Sequence, residues 1–201
     1  MIGRSSQESA SALGRMELGH RAHEAVGRTG MVWFLASEAA LFGSLMGLYV
    51  LFATRAFGWE ETKQALDETQ LYWATLWLAL ASIALAQARR RSGAGKRRMA
   101  NLWLALGLLC GVLFLTIKGI GYAHDWQAGF TLAGGPFWQF YYLLTGLHAA
   151  HVLGGLVGAL WVWWTTRGQP ATAPNRWQAL LLYWAFLDVV WLALLVLFLR
   201  W

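Results

Sequence analysis

Long uninterrupted apolar runs dominate this chain, and the short polar stretches between them hold nearly all of its charges. A helix needs about 20 such residues to cross the hydrocarbon core of a bilayer. Five runs qualify: Met31–Ala53, Leu71–Ala88, Met99–Ala123, Phe137–Thr165 and Trp177–Leu199. The second is the shortest, and the fourth is long enough to tilt or to project beyond the membrane. Pro136, Pro170 and Pro174 all fall between the runs, where they punctuate loops. The pattern therefore predicts an all-α integral membrane bundle of five transmembrane helices over residues 30–201, preceded by a polar tail over residues 1–29.

Composition agrees with a lipid environment. Of the 201 residues, 58% are hydrophobic and 13% charged, against about 25% charged in an ordinary soluble domain. The formal charge of +6 does not point to nucleic acid, because the cations sit between apolar runs and not along one polar face. Their distribution instead sets an orientation, since Lys and Arg accumulate in cytoplasmic loops. The loop after the second run carries Arg89, Arg90, Arg91, Lys96, Arg97 and Arg98. Arg167 and Arg176 follow the fourth, and the tail adds Arg4, Arg15, Arg21 and Arg28. The other side has Arg55, Lys63 and Arg200, twelve against three, with Lys118 inside a span. The N-terminus is expected in the cytoplasm and the C-terminus on the opposite side. The tail has no signal-peptide apolar region, so the first run is expected to act as an uncleaved signal anchor.

Aromatic and small residues refine the picture. Trp161, Trp163, Trp164 and Trp177 are expected in a cytoplasmic girdle, and Trp59, Trp126, Trp138 and Trp201 in its outer counterpart. The pairs Gly43 and Gly47, Gly107 and Gly111, and Gly154 and Gly158 are read as helix packing faces. Glu17–Arg28 is a candidate interfacial helix whose His20, His23 and Glu24 are read as a solvated face, not a metal site. Cys110 stands alone in an apolar run, which excludes an internal disulfide and a multi-thiolate site.

An ionised side chain at mid-membrane costs roughly 2.5–3.5 kcal/mol on insertion scales, which makes each one a functional candidate. Glu38, Lys118, His148, His151 and Asp188 are the intramembrane set. At about 1.5 Å of rise per residue, Glu38 lies about 11 Å and Asp188 about 16 Å from the cytoplasmic ends of their spans, with His151 about 20 Å in. His148 is a turn further out. Lys118 reaches about 28 Å, so it is expected to snorkel to the outer headgroups, too far to pair with the carboxylates. Glu38, His151 and Asp188 are expected to meet inside the bundle. Removal from water favours a neutral carboxyl, so at least one acid is expected to be protonated at rest. A purely structural role in bonding helices together, or a place for Glu38 at an interface with another subunit, stands beside that reading. Haem or copper ligation by His148 and His151 would need further ligands, and the remaining histidines lie in polar segments. No catalytic or metal residue is assigned.

Four segments resemble subunit III of the haem-copper respiratory oxidases: GMVWFLASEAALFGS from Gly30 to Ser44, YYLLTGLHAAHVLGG from Tyr141 to Gly155, YWAFLDVVWLAL from Tyr183 to Leu194 and, more weakly, FLTIKGIGYAHDW from Phe114 to Trp126. The resemblance places Glu38 on the family's buried glutamate. It also places Thr145, Gly146, His148 and His151 on the Thr-Gly-x-His-x-x-His stretch, and Trp184, Asp188 and Trp191 on the final helix. The chain departs from the family at Gly121, often a glutamate there, and at Ala185, often a histidine.

The resemblance implies a short five-helix form in the bacterial inner membrane, without cofactors of its own. It implies a non-catalytic subunit of a proton-pumping cytochrome c or quinol oxidase, with haem and copper in partner subunits. Its main neighbour is expected to be subunit I, with subunits II and IV as further candidates and phospholipids bound. Proton uptake and turnover stability are the functions such a subunit supports, with Glu38, His148, His151 and Asp188 as its buried polar cluster. Arg89, Arg90, Arg91, Lys96, Arg97, Arg98 and Lys118 are its candidate headgroup contacts. A subunit III-like partner of nitric oxide reductase and a small proton-coupled transporter remain alternatives. Against the transporter, the chain has no inverted repeat and no broken helices in matching halves.

Overall fold

A computed structural model describes residues 29–55, 59, 63, 66–166 and 173–200. The tail arginines, the histidines His20 and His23, Arg167 and Trp201 lie outside these residues. Every regular element among the described residues is helical. Five helices are long and apolar enough to cross a membrane. They are α1 (Thr29–Ala53), α2 (Glu68–Gly93), α3 (Arg97–Gln127), α4 (Pro136–Thr166) and α5 (Ala173–Arg200).

Helix ends reach further than hydropathy alone suggests, because capping and turn chemistry set them. Asp67 caps α2 by accepting from the amides of Thr69 at 3.0 Å and Gln70 at 3.3 Å. Glu68 in the first turn and Arg90 and Arg91 in the last suit the helix dipole. The span expected to be shortest is thus 26 residues long. Gly95, at φ 72°, makes the tight turn into α3. Arg97 and Arg98 then stand in the first turn of α3, where the dipole disfavours cations. Helix stability does not explain that pair. Pro136 opens α4 at a position where a missing N–H is harmless.

The described residues fall into two units, divided between Glu38 and Ala39. In the second, α2 packs on α3 and α5, and α4 packs on α3 and α5, so the four helices close into a ring. The later part of α1 joins α4 and α5. The Phe42 ring centroid lies 5.3 Å from that of His151 and 6.4 Å from that of Phe186. Tyr49 lies 6.0 Å from Phe140 and 5.4 Å from Phe198.

Lipid tails are as apolar as leucine, so burial of leucine does not drive helices together in a membrane; shape and polar bonds do. The structure sorts its residues on that basis. Ile83, Leu102, Leu109, Ile120, Leu153, Val157 and Val196 face outward, while Trp138, Trp184, Trp191, Tyr141 and Phe114 fill the interior. Trp126, Trp161 and Trp164 are exposed, but Trp59, Trp138 and Trp177 turn inward. Of the glycine pairs, Gly107 and Gly111 are pressed against Leu85 and Leu156, whereas Gly43 and Gly47 face open space. Gly154 and Gly158 make ordinary contacts, and the close approach on α4 falls at Gly155, under Trp184.

Candidate functional site: buried polar layers joined by Trp191

Lys118 is the deepest departure from expectation. Expected to snorkel outward, its side chain is instead 1% exposed and enclosed by the bundle. α3 continues nine residues past it to Gln127, about 14 Å further, on a face packed against α4 and α5. The ammonium donates to the Tyr141 hydroxyl at 2.9 Å. It also lies 4.7 Å from the ring centroid of Tyr141, 4.9 Å from that of Tyr122 and 5.8 Å from that of Trp191. Aromatic faces attract a cation strongly once water is excluded, so this cage replaces the solvation that snorkelling would have found. Thr145 donates to the Tyr141 carbonyl at 2.6 Å, which leaves the Tyr122 hydroxyl, also at 2.6 Å, to donate to Thr145. Asp125, further along α3, is buried too, with His124 Nδ1 at 3.8 Å.

The histidines sit deeper in the ring. His148 is fully buried, with Nε2 3.1 Å from the Leu187 carbonyl. A carbonyl only accepts, so Nε2 carries the proton and Nδ1 presents a lone pair. That Nδ1 has no hydrogen-bond partner among the described residues. The His148 ring packs 5.7 Å from Phe114 and 5.1 Å from Trp191. His151 donates from Nδ1 to the Leu147 carbonyl at 2.8 Å, and its own carbonyl accepts from the Tyr183 hydroxyl at 2.9 Å. The same logic protonates opposite ring nitrogens on the two histidines.

The α2–α5 seam forms the third layer. Ser82 Oγ lies 2.6 Å from Asp188 Oδ2, and Trp191 Nε1 donates to Thr75 Oγ1 at 2.8 Å. Trp191 thus touches all three layers: the Lys118 cage, the His148 ring and the seam. Glu38 is half-buried on α1. Of the three groups expected to share one cluster, His151 and Asp188 have partners of their own in Leu147 and Ser82.

Helical spacing pairs several of these side chains with neighbours that hydropathy does not mark. Lys118 and Tyr122, and Tyr141 and Thr145, are four apart and share a helix face. Thr75 and Ser82 are seven apart, two turns along one face of α2. Gln70 had no such signal. Its amide lies over Gly121, where an added Cβ would collide with it. A side chain from α2 therefore fills the place where the resembling family often carries a glutamate. Ala185, the other departure, is exposed.

The six cations of the α2–α3 turn come together at one end of the bundle, all exposed except the half-buried Arg91. Trp163 of α4 donates to Asn101 of α3 at 2.9 Å, and the Arg176 guanidinium lies 5.3 Å from the Trp161 ring centroid. Those contacts bring the end of α4 and the start of α5 to the same cationic end. Among the described residues, no three His, Cys, Asp or Glu side chains are grouped to hold a metal ion.

Comparison with known proteins bears on this arrangement. The family model for cytochrome c oxidase subunit III matches residues 17–201. The chain is 28% identical to cytochrome bo(3) ubiquinol oxidase subunit 3 of Pseudomonas aeruginosa, over 88% of each chain. It is 30% identical to a probable cytochrome c oxidase subunit 3 of Mycobacterium leprae, over 82% of this chain and 83% of that one. It is also 29% identical to a probable quinol oxidase subunit 3 of Staphylococcus epidermidis, over 85% of this chain and 87% of that one. With five apolar spans and a match over nearly its whole length, this multi-pass protein of the bacterial inner membrane belongs to the cytochrome c oxidase subunit III family.

Proposed function

We propose that this chain is the accessory subunit of a proton-pumping terminal oxidase. It packs on the catalytic subunit I, with subunits II and IV as further neighbours, and carries no active site. Haem and copper belong to those partners. The N-terminus faces the cytoplasm, which puts the cationic end of Arg89, Arg90, Arg91, Lys96, Arg97, Arg98 and Arg176 there as well. Phospholipid headgroups bind at that end, at about 1 kcal/mol per charge near an anionic surface. Glu38, His148, His151 and Asp188 are the polar groups through which the subunit supports proton uptake.

The observation that carries this reading is the uncovered first span. The apolar window of α1 is 11% buried within the chain, against 33–39% for the other four. Leu41 and Leu48 on this span are exposed, as side chains that meet lipid or a neighbouring helix would be. Glu38 lies on this span, half-buried. Glu38→Gln in the assembled complex is expected to leave haem spectra intact while slowing proton uptake or shortening catalytic lifetime. If proton uptake and lifetime both stay at wild-type values, Glu38 serves structure alone.

A further inference from the structure

Asp188 is a carboxyl group within a membrane span, half-buried between α2 and α5. Its one hydrogen-bond partner among the described residues is the Ser82 hydroxyl, 2.6 Å from Oδ2. Ser82 Oγ is at the same time 3.1 Å from the Leu78 carbonyl. One hydroxyl proton thus stands between two acceptors. If Asp188 were ionised, a full negative charge would rest on a single neutral donor, whereas buried charges persist only when paired and hydrogen-bonded on several sides.

Among the described residues, Asp188 forms no ion pair. Between Trp73 and Ala88, α2 has no acid or base, and residues 39–53 of α1 bring only Tyr49. The α4 histidines use one ring nitrogen each on a carbonyl, His148 on Leu187 and His151 on Leu147. The Lys118 ammonium is held in its own aromatic cage. A neutral Asp188 resolves the count: the acid donates to Ser82, and Ser82 donates to Leu78.

We propose that Asp188 and Ser82 form a proton-binding site in the seam between α2 and α5, with Asp188 standing as a neutral acid. Its ligand is a single proton, released when a second donor or a cation reaches the carboxyl. The proposal rests on the reading of this chain as a proton-supporting subunit only for the use made of that proton; the proton's presence rests on the bond count.

Infrared spectra of the purified complex at neutral pH, compared with Asp188→Asn and Ser82→Ala, test the site. Asp188→Asn is expected to lose one protonated-carboxyl stretch, and Ser82→Ala to shift that same band as the acid loses its acceptor. Loss of a carboxylate band in Asp188→Asn would overturn the proposal. If Asp188→Asn does not assemble, Ser82→Ala decides alone, and an unmoved carboxyl band overturns it. A particle that purifies without haem would count against the oxidase reading while leaving the Asp188 band readable.

Discussion

Replacing Lys118 by methionine removes a charge from the interior while nearly keeping the length of the side chain. Four terms set the outcome. The ammonium loses its aromatic cage, worth about 2 kcal/mol or more when desolvated. It also loses a charge-assisted bond to Tyr141, about 1.5–3 kcal/mol. Against these, the desolvation of an ion, several kcal/mol, disappears. The methionine thioether adds roughly 0.3–1.5 kcal/mol of contact with the surrounding rings. The sum for Lys118→Met falls within about 2 kcal/mol of zero, on either side. Lys118→Ala removes the same charge but leaves a cavity among Tyr122, Tyr141 and Trp191, and large-to-small changes in a packed interior cost about 2–5 kcal/mol. A chain of this size shifts its midpoint by about 2–4 °C per kcal/mol, so thermal unfolding in detergent should separate the two variants by on the order of 10 °C. Equal destabilisation by Met and Ala would refute the reasoning, because the charge itself would then be holding the fold.

Four further changes probe the packing and the cationic end. Gly155→Ala sets a methyl 2.8 Å from the buried Trp184 ring and should cost about 1–3 kcal/mol in the same unfolding assay. Gly43→Ala meets nothing within 4 Å and should change chain stability by less than about 0.5 kcal/mol. Thr75→Val takes the acceptor from the Trp191 indole and should cost about 1–3 kcal/mol with a change in tryptophan fluorescence; unchanged emission would place that indole elsewhere. Replacing Arg89, Arg90, Arg91, Lys96, Arg97 and Arg98 by glutamine should weaken binding of anionic lipid to the purified protein, read by native mass spectrometry. Undiminished binding would move the lipid site away from that end.

The spans were legible because twenty apolar residues in a row admit few other placements. Their ends were less so: Asp67 and Gly135, which bound α2 and α4, carry no hydropathy signal, only turn and cap chemistry. Inside the spans, hydropathy cannot separate a lipid-facing side chain from a packed one, since both surroundings are apolar. That is why Trp138 and Trp177 were expected at the surface and lie inside, and why Gly43–Gly47 and Gly107–Gly111 read alike yet differ in the structure. Lys118 was misplaced for a related reason. Depth along the helix does not fix rotation about its axis, and that rotation decides whether a lysine snorkels or enters a cage. What Ser82, Thr75 and Tyr141 bond to is fixed only where α2, α3, α4 and α5 come together.

Purification of the chain from its native membrane in mild detergent tests the central claim most directly. The account predicts one particle that contains this subunit, a much larger membrane protein and the absorbance of haem. A chain that elutes alone, without haem and without a larger partner, would contradict it.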